Sequence, residues 1–259
     1  MNIYEKKYCK ILSKCLSKGV KVQGRNGLTL QLTGQQIQAN LSNGFPVVTG
    51  KKVFFKSALI EAEWMLKGLT NTKWLNERGV KIWDQWSDEN GDLGPVYGHQ
   101  LINFNGINQL QQIIQEAKIN PASRRLLCSM WNPSDIDKMK LPPCHYSFQF
   151  VISGKRVDLI VSMRSLDLFV GLPYDMIMYA GILESFSKEL NLKSGSVIIN
   201  TASAHLYEEH IEAVKLYISN KKHKLPRLKN KPSISNFLAD DFVINNYICE
   251  QRIKVNVIK

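Results

Sequence analysis

The stretch that most constrains this chain is Leu141-Pro142-Pro143-Cys144-His145, which runs directly into Tyr146-Ser147-Phe148-Gln149-Phe150. Two successive prolines fix φ and with it the chain's approach to Cys144. From Tyr146 onward the residues alternate. Phe148 and Phe150 fall on one face and Ser147 and Gln149 on the other, the period of a half-buried strand. A thiol is therefore held at the start of a strand, beside an imidazole. Such a cysteine is either a small buried apolar group or a nucleophile. The nucleophile needs a depressed pKa, which nearby cations or His145 would supply.

Composition narrows the setting. The chain has 259 residues, 44% apolar and 22% charged, enough for one domain over residues 1–259 with a sizeable core. No apolar run approaches the roughly 18 residues of a membrane span. The segment Met1-Asn2-Ile3-Tyr4-Glu5-Lys6-Lys7 has no apolar centre and does not read as a secretory signal. Five cysteines without a CxxC pair argue for reduced thiols in a cytoplasm, against a disulfide scaffold and against structural zinc. A net charge of +12 favours anionic ligands, either nucleic acid or small phosphates and polyanionic cofactors. The cationic run Lys221-Lys222-His223-Lys224 reads as a solvated loop. No motif for nucleic-acid binding accompanies it.

Along the chain, residues 3–18 have helical spacing ended by Gly19. Gly24-Arg25-Asn26-Gly27 is a turn, and Leu28–Leu32 alternates as a strand closed by Gly34. Gly44–Val48 reads as turn to strand. Lys56–Lys67 is helical and stops at Gly68. Residues 83–100 read as a long ordered loop, a kind that usually carries function. Ile107–Ala117 is an amphipathic helix. Strands are expected at Leu126–Trp131, Tyr146–Ile152, Val157–Met163 and Val197–Ala202, with helices at Tyr174–Leu190 and His205–Ile218. The tail has strand-like pieces near 242–248 and 252–258.

Four further stretches join Cys144. Trp83-Asp84-Gln85-Trp86 leads to Asp88-Glu89-Asn90-Gly91-Asp92-Leu93-Gly94-Pro95-Val96-Tyr97-Gly98. Ser123-Arg124-Arg125 follows, then Arg164-Ser165-Leu166-Asp167 with Gly171-Leu172-Pro173-Tyr174-Asp175, and last His205-Leu206-Tyr207. In this order, from about residue 20 onward, they resemble thymidylate synthase and its relatives, the pyrimidine nucleotide 5-hydroxymethylases. The resemblance implies an α+β fold: a large mixed sheet packed with helices, one sheet face forming a homodimer interface. It also implies a mechanism. Addition of the Cys144 thiolate at C6 of a pyrimidine makes C5 nucleophilic toward the one-carbon unit of methylenetetrahydrofolate, and no metal is required.

Further roles follow from the same resemblance. Arg164, Ser165 and Arg25 hold the nucleotide phosphate, for which planar, permanently charged guanidinium donors are suited. Arg25 sits in a turn one residue off the family's usual spacing. Arg124 and Arg125 reach the partner's site in an obligate homodimer. His205 and Tyr207 bond the sugar 3′-hydroxyl. Glu61 helps open the folate and orders water, with Tyr97 and His145 in the same proton relay. Trp83 stacks beside the folate ring, Asp167 bonds the pterin and Lys51 meets the folate's glutamate tail. Trp86, Leu141, Val170, Gly171 and Tyr174 line the cofactor cavity.

One departure bears on the substrate. Asp175 stands where thymidylate synthases carry the asparagine that reads the pyrimidine 3,4 edge. Uracil presents a donor at N3 and an acceptor at O4. Cytosine presents an acceptor at N3 and a donor at N4. An ionised carboxylate only accepts, and a protonated one gains a single donor. An aspartate therefore suits cytosine, accepting from the amino group and sharing a proton with N3. Met163 before Arg164, where thymidylate synthases have glutamine, points the same way. The CMP and dCMP hydroxymethylases carry aspartate at the position of Asp175, so the resemblance makes C5 hydroxymethylation of CMP or dCMP the leading expectation. Methylation of dUMP by a thymidylate synthase is the alternative, with dUMP hydroxymethylation and RNA binding behind it. Methyl transfer needs water excluded by the C-terminal tail, and a terminal Lys259 would weaken that closure.

Overall fold

The computed structural model describes residues 1–258; Lys259 lies outside the described residues. A mixed six-stranded sheet carries the fold, in the order β1-β2-β6-β5-β4-β3. The strands are β1 (Val20–Gly24), β2 (Gly27–Asn40), β3 (Leu127–Ser129), β4 (His145–Ser153), β5 (Arg156–Asp167) and β6 (Lys193–Tyr207). β5 and β6 are parallel and every other pair is antiparallel. The parallel pair requires a crossover, which is α6 (Gly171–Glu189). Its Met176, Ile177, Tyr179, Ala180, Ile182, Leu183 and Phe186 are all fully buried. A helix apolar on every side belongs inside, and Phe186 stacks on Phe150 of β4 with ring centroids 3.7 Å apart.

Helices α1 (Ile3–Lys18) and α2 (Phe55–Leu66) pack around the same core. Asn2 caps α1 by accepting the Glu5 N–H at 2.8 Å. Gly68 follows α2 at φ +74°, and a Cβ there would meet the Ile102 side chain, so the helix stops where expected. Shorter helices α3 (Lys73–Asn76), α4 (Tyr97–Asn103), α5 (Gln109–Ile119) and α7 (Ile211–Ser219) complete one contiguous hydrophobic core, beside a two-stranded ribbon of β7 (Arg227–Asn230) and β8 (Val243–Asn245). No helix among the described residues is long and apolar enough to cross a membrane.

Several expectations are corrected. β2 does not close at Gly34. It passes through that residue at φ +59° and keeps its register on β6 as far as Asn40. Gly44–Val48 forms no strand, the 83–100 loop ends in α4 from Tyr97, and residues 252–258 have no regular structure. His205 and Tyr207 end β6, and no helix begins before Ile211 apart from a short 3₁₀ turn.

The reason for the last error is a change of phase in the sheet. On β6 the buried residues are Val197 and Ile199, then Ala204 and Leu206. On β5 they are Val161 and Met163, then Leu166. On β2 the buried apolar residues are Ile37 and Ala39 on one side of Gly34 and Leu32 on the other, with Thr29 also buried. Each strand switches parity at one row across the sheet. Beyond that row Ser165, Asp167, His205 and Tyr207 share the side that faces a cavity.

The cationic run does not stay fully solvated. Lys222 is buried, and its ammonium donates to the carbonyls of Tyr217, of Ile218 at 3.0 Å and of Asn220 at 2.6 Å. It thereby satisfies the orphan carbonyls of the last turn of α7. Lys222→Met leaves those carbonyls without their donor and costs about 1–3 kcal/mol, read as a lower urea midpoint at unchanged slope.

Candidate active site

A cavity of about 490 Å³ opens where the parity-switched ends of β5 and β6 meet the Cys144 segment, α2 and the C-terminal tail. Its size suits a small-molecule site. Every candidate residue named from the sequence lines it except Arg124 and Arg125. Those two arginines are exposed at the sheet edge just before β3, and Arg124 offers its carbonyl to Gln149 Nε2 at 2.8 Å.

Cys144 is held by its neighbours on three sides. The Arg164 N–H donates to the Cys144 carbonyl at 2.8 Å. Arg164 Nε and Nη2 donate to the carbonyls of Pro143 at 2.9 Å and Pro142 at 2.8 Å. The two prolines thus fix the guanidinium beside the thiol while three of its N–H groups stay free for a ligand. The Cys144 N–H donates to the Tyr97 hydroxyl at 2.9 Å. Immediately after Cys144 the β4–β5 register shifts between His145 and Ser147. This bulge puts His145 on the same buried face as Phe148 and Phe150.

The thiol is not depressed, contrary to expectation. Burial pushes the Cys144 pKa up; Arg164 opposes this, and Asp175 adds to it. His145 gives no cationic help, because burial lowers its pKa to about 3 and leaves it neutral.

Three carboxyls share the cavity. Glu61 accepts the Trp83 indole N–H at 2.7 Å, and burial pushes its pKa up to about 7 against that bond. Asp175 has no hydrogen-bond partner among the described residues. Burial raises its pKa well above the usual carboxylate range, reinforced by Glu61 and Asp167. Asp167 accepts the backbone N–H groups of Phe169 at 2.8 Å and Val170 at 3.0 Å, which organises the start of α6. Lys51 is turned inward. Its ammonium donates to the Phe169 carbonyl at 2.7 Å and sits 3.6 Å over the Phe169 ring. Desolvation lowers its pKa to about 7, with Asp167 opposing. Among the described residues no group of His, Cys, Asp and Glu is placed to hold a metal ion.

A thiol, a guanidinium, and two carboxyls, Glu61 and Asp175, held above their solution range in one cavity suit nucleophilic addition to an anionic substrate. The family model for thymidylate synthase matches residues 6–259. The chain belongs to the thymidylate synthase family. It is therefore a one-carbon transferase, acting on a pyrimidine nucleotide with methylenetetrahydrofolate as co-substrate, and the mixed sheet packed with helices is the family's fold.

One wall of the cavity is made by Trp83, Trp86, Leu141, Val170 and Tyr174, beside the polar groups Glu61 and Asp167. Aromatic and apolar surface and hydrogen-bonding groups lie together there, a combination that suits a flat, polar-edged ring such as a folate's. Trp83 meets Trp86, Tyr97 and Trp64 at ring-centroid distances of 5.6, 5.7 and 5.9 Å, so the aromatic wall is rigid.

Sequence reasoning missed several lining residues. Asn26 accepts Arg25 Nε at 2.9 Å and lies beside Tyr207. Phe54, Ser57 and Lys52 come from the entry to α2. Arg252, Ile253, Val255, Val257 and Ile258 come from the tail, which crosses the cavity as an irregular strap. The Asn256 carbonyl lies 2.9 Å from His210 Nε2. The alternating Val and Ile of the tail carried the period of a strand, and nothing local in them encoded a lid.

Proposed function

We propose that this chain, acting as one catalytic unit over residues 1–259, transfers a hydroxymethyl group to C5 of CMP or dCMP. The observation that carries the reading is Asp175: a carboxyl on the cavity wall, without a hydrogen-bond partner among the described residues, whose pKa burial raises well above the usual carboxylate range. Set against cytosine, its O–H donates to N3 and its carbonyl accepts from N4–H₂. N3 of cytosine is basic, so the proton can move onto the ring. That leaves a carboxylate paired with a cationic ring, a charge-assisted bidentate contact, and it makes C6 a better target for sulfur. An asparagine has no proton to give.

In this reading Arg164, Ser165 and Arg25 take the phosphate, and His205 and Tyr207 take the 3′-hydroxyl. Cys144 Sγ loses its proton and adds to C6. Arg164 stabilises the thiolate, whose elevated pKa makes it strongly nucleophilic once formed. The folate supplies the one-carbon unit. Trp83 and Trp86 would hold its ring by stacking, Asp167 would bond the pterin, and Lys51 would meet the glutamate end once its ammonium turned outward from the Phe169 carbonyl. Leu141, Val170, Gly171 and Tyr174 shape the wall. Glu61, poised near neutrality, holds and releases a proton through water together with Tyr97. Water completes the product at the exocyclic carbon before Cys144 leaves.

A partner subunit fits the bare side of the sheet. Leu127, Val151 and Tyr146 are 45, 38 and 37% exposed there, apolar side chains that a partner would cover. Pairing through this face in a homodimer brings Arg124 and Arg125 to the other subunit's phosphate site.

One observation favours the second reading, methylation of dUMP. A protonated carboxyl has one donor and one acceptor, as a carboxamide does, and so also fits uracil's edge. CMP, dCMP, UMP and dUMP assayed with methylenetetrahydrofolate and read by product mass separate the two. A cytidine nucleotide heavier by one CH₂O, with no dihydrofolate absorbance, is the expected product. Thymidylate with dihydrofolate overturns it.

Glu61 gives a pH test. It must be protonated to act as an acid, so kcat/KM falls as pH rises through about 7. Glu61→Gln removes that limb and lowers kcat by roughly 10²-fold or more. A wild-type profile flat between pH 6 and 8 contradicts the role.

A further inference from the structure

The two ring nitrogens of His145 have different surroundings. Nδ1 lies 2.6 Å from the hydroxyl of Tyr179 on α6. The two rings meet edge-on, and the Tyr97 ring lies nearly parallel to the imidazole, at 30° and 4.4 Å between centroids. Nε2 has no partner among the described residues, and His145 lines the cavity.

Tyr179 is fully buried, and His145 is its hydroxyl's single partner among the described residues. Burial raises its pKa, reinforced by Asp175 and Glu61, so it keeps its proton. That proton needs an acceptor. If Nδ1 carried hydrogen, the hydroxyl would accept from it and its own O–H would be stranded in a dry core, which folded proteins avoid. The consistent arrangement has the Tyr179 O–H donating to Nδ1 and the ring hydrogen on Nε2. Burial also keeps the ring neutral.

We propose that Tyr179 is a positioning residue: it fixes His145 as the Nε2–H tautomer and so makes His145 a standing, uncharged hydrogen-bond donor into the cavity beside Cys144. Its use rests on the reaction proposed above. Addition of sulfur at C6 pushes electron density onto the ring, and a preorganised donor next to the attacking cysteine meets that charge directly or through water. A neutral donor does so without forming an ion pair with Glu61 or Asp175. The Tyr179 hydroxyl touches neither ligand nor cavity, and acts only through the imidazole.

Tautomers are readable directly. The full-length protein labelled with ¹⁵N-histidine contains five histidines, and His145→Gln assigns the relevant pair of signals. At pH 7 without nucleotide, His145 is expected to show a protonated Nε2 and an acceptor Nδ1. Tyr179→Phe is expected to shift that signature toward Nδ1–H or a mixture and to lower kcat roughly 10- to 100-fold. The KM for the nucleotide stays within about twofold. An Nδ1–H tautomer or an imidazolium in the wild type overturns the proposal, as does a Tyr179→Phe enzyme with altered tautomer and unchanged kcat. The wild-type spectrum decides even if the variant folds poorly. Because it is recorded without substrate, it is independent of which nucleotide the enzyme prefers.

Discussion

Cys144→Ala is expected to lower kcat by roughly 10⁴- to 10⁶-fold, the scale seen when a covalent nucleophile is removed, while leaving the nucleotide bound. Both halves follow from the geometry. The sulfur is the one thiol among the described residues of the cavity wall, and Arg164 does not depend on it. The guanidinium is anchored by the backbone carbonyls of Pro142 and Pro143, and the Tyr97 hydroxyl meets the Cys144 backbone N–H. A smaller side chain disturbs neither contact. The midpoint of thermal unfolding should move little, and equilibrium dialysis should show retained nucleotide affinity. Any RNA binding by the basic surface should also survive. Turnover within tenfold of wild type would mean that no covalent step passes through this thiol.

Asp175→Asn is the second large effect. The ratio of kcat/KM for cytidine over uridine nucleotides is expected to fall by roughly ten- to a hundredfold. An asparagine has a donor and an acceptor but no acidic proton to pass to N3, so the charge-assisted contact with cytosine, a kind worth about 1.5–3 kcal/mol, is lost. The variant should also lose a pH limb. In the wild type, cytidine turnover needs the Asp175 proton, so it falls as pH rises through the elevated pKa of that carboxyl. An asparagine does not titrate. Competition assays with mixed nucleotides give the ratio directly, and an unchanged ratio counts against reading of the pyrimidine edge by residue 175.

The site was legible because its chemistry sits in short local motifs. Pro142-Pro143-Cys144-His145, Arg164-Ser165 and His205-Leu206-Tyr207 each show residue type and spacing without tertiary information, and all of them line one cavity. The helices were legible for a similar reason: α1 has helical apolar spacing ended by Gly19, α2 stops at Gly68, and α6 is one long, largely apolar run. Long-range properties were not legible. His205 and Tyr207 looked helical because a parity switch across β2, β6 and β5 interrupts the strand period, and only the assembled sheet shows that it is one strand. Burial of Cys144 and His145 reverses the expected thiol and imidazole behaviour, and desolvation is a property of the packed whole. Lys222 looked like solvent-facing charge because its carbonyl partners belong to the end of α7. Tyr179 lies on a helix apolar on every side, and only the assembled fold brings its hydroxyl to Nδ1 of His145.

The most direct test of the central claim is to trap the adduct. Cytidine and uridine 5-fluoronucleotides, incubated with the enzyme and methylenetetrahydrofolate, stall after sulfur has joined C6, because fluorine does not leave as the C5 proton does. Intact mass and peptide mapping are predicted to find nucleotide plus folate on the peptide containing Cys144, far more with the cytidine analogue than with the uridine one. No adduct, an adduct on another cysteine, or a preference for the uridine analogue would contradict the account.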